Sequence, residues 1–285
     1  MSRSRLRRSL AVTLLLALTA APLHASEVPL ELDGAFEQGA LVVGHTDPKA
    51  RVQFQGDPVR VSTEGVFLIG FGRDAEKTAT LVAEAPDGTR RERELTVSPR
   101  DYHIQRIEGV ERDKVTPPES VWDRIREEAR QVGKARRTDD PRTDFLAEFQ
   151  WPIEGPITGE YGSQRFYNGE PRRPHYGIDI AAPAGTVVRA PAGGVVTLAH
   201  PDMYFSGGTL LLDHGHGLSS AFLHMSKLDV EVGDEVAQGD RLGEVGSTGR
   251  STGAHLDWRI NLFSRRLDPT YLVGDMPEPA RASAE

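Results

Sequence analysis

From about residue 40 onward the chain is cut into short apolar or alternating runs, each closed by Gly, Pro or Asp. Punctuation this dense leaves room for strands and turns but almost none for helices, so it points to an all-β architecture. In the first half the expected strands are 40–44, 50–55, 59–62, 66–71, 78–85 and 92–97, with Asp87-Gly88 as a hairpin turn. Val52 and Phe54 alternate with Arg51 and Gln53, which buries one face and wets the other. Short strands at this spacing predict an immunoglobulin-like sandwich over 26–110. His45 and His103 stand isolated there, and no cluster of catalytic residue types accompanies them. That region is therefore expected to be dispensable for chemistry.

A helical linker is expected over 111–148. Thr116-Pro117-Pro118-Glu119 has the form of a cap, a proline at the first helical position and a capping-box glutamate. Val121, Ile125, Ala129 and Val132 follow on one helical face, which is expected to pack on a neighbouring domain. The charged run from Arg136 to Pro141 is expected to be a solvated hinge or loop. Phe149-Gln-Trp-Pro152 opens a second domain, 149–274, with strands expected at 186–189, 194–198, 209–213, 219–223, 235–237 and 242–245. The last residues, 275–285, are expected to form a disordered tail.

The first 25 residues have the build of a secretory signal: Arg3, Arg5, Arg7 and Arg8, an apolar core from Leu10 to Leu18, then Leu23-His-Ala25 before Ser26. Export to the periplasm or beyond is expected, with cleavage near Ser26 and no stable membrane anchor afterwards. Losing those four arginines takes the formal charge from -8 to about -12, a poor balance for nucleic acid or anionic lipid. The chain has no cysteine, so any transition-metal site must use imidazole and carboxylate.

Six of the nine histidines lie between His175 and His255. They fall partly in three islands: His175-Tyr-Gly-Ile-Asp179, Phe222-Leu-His224-Met and Ser251-Thr-Gly-Ala-His255-Leu-Asp257-Trp. Pro174, Gly177 and the isoleucines at 178 and 180 read as loop running into strand, which puts His175 and Asp179 on one side. His255 and Asp257, two apart, share a strand face with Leu256 on the other. His214-Gly-His216 is a rival pair whose spacing also allows ligation, and His200 lies in a loop.

In order and spacing these islands resemble the LytM or lysostaphin-type zinc metallopeptidases, peptidase family M23, over nearly the whole second domain. The family pattern is H-x-G-x-D, a Y-x-H-L-like island and S-T-G-P-H-L-H; its final histidine, a metal ligand, is Asp257 here. The resemblance implies a metal-dependent endopeptidase acting on peptidoglycan peptides. His175, Asp179 and Asp257 would hold one Zn²⁺, with Mn²⁺ as a competitor now that a carboxylate replaces the imidazole. His224 and His255 would be the catalytic pair, one taking a proton from water and the other steadying the oxyanion. The first domain would then be a spacer, a wall-binding module or a lid. The alternative from another class is a degenerate LytM-like domain that binds the wall or activates an amidase without metal.

Overall fold

The computed structural model describes residues 27–277. The expected signal segment, 1–25, and the tail from 278 lie outside the described residues.

Seven strands build the first region: β1 (Leu30–Asp33), β2 (Leu41–Thr46), β3 (Arg51–Phe54), β4 (Asp57–Val59), β5 (Val66–Gly70), β6 (Thr78–Glu84) and β7 (Arg90–Thr96). They form two sheets, β1-β2-β5 and β4-β3-β6-β7, packed as a sandwich. Val52 and Phe54 are buried while Arg51 and Gln53 are exposed, as alternation requires. The inner faces close on Val42, Phe67, Ile69, Leu81 and Leu95. Strand β5 is buried along its whole length because both its faces are covered. Phe67 and Ile69 face the sandwich, whereas Val66 and Leu68 join the core of the second domain.

A further strand, β8 (Ile104–Ile107), leaves the sandwich and pairs in parallel with a strand of the second domain. Two helices follow, α1 (Arg112–Val115) and α2 (Trp122–Ala135). The expected cap at Thr116 does not form: Thr116 ends α1, a 3₁₀ turn spans Glu119–Val121, and α2 starts at Trp122 with no side-chain cap. The residue before a proline is pushed out of the α region, and two successive prolines here delay the helix. Nor is the run after α2 freely solvated. Asp139 receives a fork from Arg60, with Nε at 2.6 Å and Nη2 at 3.0 Å, and the Asp140 carbonyl accepts from the His216 amide at 2.9 Å.

The second domain contains β9 (Ile157–Gly159), β10 (Gln164–Tyr167), β11 (Glu170–Pro171), β12 (Ile178–Ala181), β13 (Val187–Arg189), β14 (Gly194–Met203) and β15 (Gly207–Gly215). It continues with β16 (Leu218–Met225), β17 (Lys227–Leu228), β18 (Glu235–Val236), β19 (Arg241–Glu244), β20 (His255–Leu262) and β21 (Arg265–Leu267). Its main sheet is antiparallel in the order β18-β14-β15-β16-β20-β12-β9, with β21 also on β20. One face carries Phe222, Leu256, Trp258 and Ile260 into the main core. The other carries Leu211, Ala221 and Leu223, and α2 lies on it through Val132 and Ala135.

Candidate metal centre and active site

Strand β20 sets the site by alternation. Leu256, Trp258 and Ile260 go to the core, so His255, Asp257 and Arg259 share the opposite face. Register extends that face sideways: Asp179 of β12 stands directly across from Asp257, and Leu223 of β16 flanks it on the other side. Two buried carboxylates facing each other across a strand pair repel, so the arrangement needs cations.

Two arginines answer part of that need. Arg165 Nη2 donates to Asp179 Oδ2. Arg259 grips Asp257 from both sides, Nε to Oδ1 at 2.9 Å and Nη2 to Oδ2 at 2.5 Å. Burial alone would lift Asp257, but the charge and hydrogen bonds of Arg259 win and hold its carboxyl below the ordinary range. Asp179 moves the other way, raised by burial and by Asp257 despite Arg165. Two glycines permit these approaches. A Cβ at Gly177 would lie 2.8 Å from Asp257 Oδ1 and 2.5 Å from Arg259 Cγ, and one at Gly159 would strike the Asp179–Arg165 pair.

What remains unanswered is concentrated at one point. His175, 2% exposed, has no hydrogen-bond partner on either ring nitrogen, and Asp179 Oδ1 is also buried without one. His175 Nε2 lies 3.4 Å from Asp179 Oδ1 and 3.6 Å from Asp257 Oδ1. Two donors on a tetrahedral Zn²⁺, each about 2.0–2.1 Å away, sit about 3.4 Å apart. Ligand atoms of His175, Asp179 and Asp257 all lie within 4.8 Å of one another. Burial and nearby Arg165 hold His175 well below its ordinary pKa, so it is neutral, the form that ligates. The donor set therefore fits a divalent cation. The fit carries a penalty, since both carboxylates already face guanidinium and a cation adds charge to a balanced cluster.

The other two histidines line a cleft of about 360 Å³ together with Asp179 and Asp257. Simple alternation would send His224 away from Leu223, into the core. Instead β16 bulges: Gly208 pairs with Met225 and Leu210 with Phe222, so Leu223 and His224 together oppose Thr209. His224 takes a left-handed φ of 67°, and its ring ends 4.8 Å from that of His255, centroid to centroid. His224 Nδ1 donates to the Thr248 carbonyl at 2.7 Å, and His255 Nδ1 to the Gly253 carbonyl at 2.9 Å. With Nδ1 taken up in both rings, Nε2 is the ring nitrogen each leaves free. That of His255 lies 3.7 Å from Asp179 Oδ1. Burial pushes His224 down to about 4, leaving it an unprotonated base at neutral pH.

The rival histidines are engaged elsewhere. His214 is fully buried, with Nδ1 on the Gly193 carbonyl at 2.7 Å and Nε2 on Ser220 Oγ at 2.8 Å. His216 packs on Phe145 with both ring nitrogens buried and unpartnered, but it stands outside the His175–Asp179–Asp257 group, and His200 accepts from the Asp202 amide. His45 and His103 are exposed. Sequence reasoning passed over Arg165, Arg250 and Gln105 as parts of the site. Gln105 Oε1, from β8, accepts from Arg165 Nε at 2.9 Å. Only Arg259 had a legible signal, the two-residue step from Asp257.

The model of peptidase family M23 matches residues 173–269. The DD-carboxypeptidase/endopeptidase Mpg of Neisseria meningitidis is 37% identical over 110 residues, 39% of this chain and 25% of the relative. The peptidoglycan DD-endopeptidase ShyA of Vibrio cholerae is 38% identical over 112 residues, 35% of this chain and 25% of the relative. The matched stretch thus spans about a quarter of these curated relatives. The crystal structure of a peptidase M23 from Pseudomonas aeruginosa aligns with a TM-score of 0.65 at 31% identity, over 84% of this chain and 95% of that one. Matched in its motifs and covering nearly all of that structure, the chain belongs to peptidase family M23.

Proposed function

We propose that the protein is an exported, metal-dependent endopeptidase that hydrolyses peptide cross-links of peptidoglycan. The reading is carried by one observation: unpartnered His175 Nε2 and Asp179 Oδ1 converge with Asp257 Oδ1, and both carboxylates share a cleft with His224 and His255. His175, Asp179 and Asp257 would hold the ion, Zn²⁺ or an oxygen-tolerant ion such as Mn²⁺. A divalent cation there supplies Lewis acidity, polarising a carbonyl and making water nucleophilic at neutral pH. His224, neutral and fixed through Nδ1, accepts the proton of the attacking water at Nε2 and returns it to the leaving amine. His255, held the same way by Gly253, faces the oxygen of the tetrahedral centre and helps to steady it. Arg165 and Arg259 keep the two carboxylates in place. The names of Mpg and ShyA support the substrate class, and the arginine-rich N-terminus supports export.

Purified protein from residue 26 onward is to be analysed for metal and incubated with intact sacculi. Stoichiometric Zn²⁺ or Mn²⁺ and release of uncross-linked muropeptides are expected. Absence of metal in wild type, with metal regained in Asp257→His, would overturn the reading in favour of a wall-binding domain.

A further inference from the structure

On the same sheet face, beyond Arg259, a cavity of about 840 Å³ lies between α2 and the sheet. It adjoins the catalytic cleft, and Arg165, Tyr167, Leu223 and Arg250 line both. Its polar lining is overwhelmingly cationic. Arg136 comes from the end of α2, Arg250 from the loop before β20 and Arg266 from β21, with exposed Arg173 also in the lining.

These arginines lack counter-charges. Among the described residues none of Arg136, Arg173, Arg250 and Arg266 has a carboxylate within 4.0 Å, whereas Arg165 and Arg259 are paired. The acid lining the cavity on α2, Glu128, is committed: Oε1 accepts from Arg124 at 2.6 Å and Oε2 from the Tyr204 amide at 2.8 Å. Arg136 Nε is buried without a partner. Arg266 reaches only the Asn261 side-chain oxygen, at 2.6 Å, and Arg250 lies over the rings of Tyr167 and Phe205 at 4.7 Å each. Burial, with Arg266 and Arg259 nearby, pushes Arg136 down to about 8, and burial with Arg259 pushes Arg266 down to about 10. A guanidinium keeps its proton in a protein, so such crowding is relieved by a counter-anion rather than by deprotonation.

We propose that this cavity binds a polycarboxylate, the acidic end of a wall stem peptide whose remainder lies in the catalytic cleft. The assignment of the peptide rests on the peptidoglycan reading above. Stem peptides combine free carboxylates with alanine methyl groups. The cavity offers forked donors beside apolar Ile125, Val132, Met203 and Leu223. The residues common to cavity and cleft set such an anion beside the chain being cut.

The test uses the whole mature protein, with tricarballylate as the probe of the chemistry and the disaccharide tetrapeptide as the probe of its source. Tricarballylate should raise the melting temperature of wild type saturably at low salt, and the tetrapeptide should compete with it. Arg136→Gln/Arg266→Gln should weaken both ligands at least tenfold, while its own melting temperature without ligand stays level or rises. Should the double variant misfold, Arg136→Lys and Arg266→Lys singly should still weaken binding, because the planar fork is lost. No saturable anion effect in wild type, or an equal effect in the variants, overturns the site. Tricarballylate binding without competition by the tetrapeptide overturns its assignment to the wall peptide. Hydrolysis of sacculi by the same preparation shows separately whether the peptidoglycan reading holds.

Discussion

The two ends of one groove carry opposite electrostatic deficits. At the cleft floor the Oδ1 of Asp179 is buried with nothing to bond, and so is the imidazole of His175 behind it, which also lines the cavity beneath α2. In the cavity beneath α2, guanidinium groups crowd together without acids. Strand β20 spans the change, with Asp257 facing one side and Arg259 turned back to hold it. A fold that only needed stability would have paired these groups or replaced them with apolar ones. The contrast separates a place for a cation from a place for an anion, a few ångströms of pleated strand apart.

The contrast is broken most severely at the cation end. His175→Ala and Asp179→Ala should each remove the metal and cut hydrolysis at least about 10⁴-fold, as when one member of a catalytic unit is lost. Activity surviving without metal would mean the cleft is not a cation site. His224→Ala should cost about 10²–10⁴-fold in turnover with the metal content unchanged, the signature of a general base. Loss of metal in that variant would make His224 a ligand instead.

A buried histidine outside both regions supplies the reference. His214 is bonded on both nitrogens, and burial lowers it to about 4 from 6.5. Between those values the unfolded chain binds the extra proton, so this stabilisation is full above pH 6.5 and disappears as pH falls through 4. The contribution is about 3 kcal/mol at most. Asp213, lifted by burial to about 7, acts with the opposite sign, losing stabilisation as pH rises through that value. The His214 component is therefore read as the difference in denaturation-versus-pH slope between wild type and His214→Asn. Equal slopes would mean His214 is not buried neutral.

The mildest expected effect lies at the junction. Arg259→Met removes one positive charge from Asp257 and should tighten metal binding by about tenfold or more, measured by chelator competition. Weaker binding would show that the arginine organises Asp257 for the ion rather than competing with it.

Much of the groove is legible in the sequence. Period-two alternation put His255 with Asp257, and the glycine-broken run after Pro174 delivered His175 and Asp179 from a loop and a strand. Local pattern did not reveal that His224 needs a bulge opposite Thr209, because alternation by itself assigns that ring to the core. Nor did it reveal Arg136, which reads as part of a solvated charge run yet is folded under α2. Both depend on contacts between distant segments, which spacing along the chain does not encode. The misplaced helix start has a nearer cause: proline stereochemistry overrode a capping signature four residues long.

Strand β8 has a practical consequence for anyone dissecting this chain. Residues 104–107 are stitched in parallel to β10, and Gln105 there steadies the arginine that holds Asp179. A parallel stitch cannot be replaced by a tight turn, because its two strands must be joined by a long excursion. Here that excursion carries both helices. A minimal catalytic fragment begun at 145 would therefore be cut inside its own hem. A boundary between β7 and β8, near residue 100, keeps that edge and the Arg100–Asp268 pair at 2.8 Å, but it strips Val66 and Leu68 from the second domain's core. Modules exchanged among relatives would need to carry that edge with them.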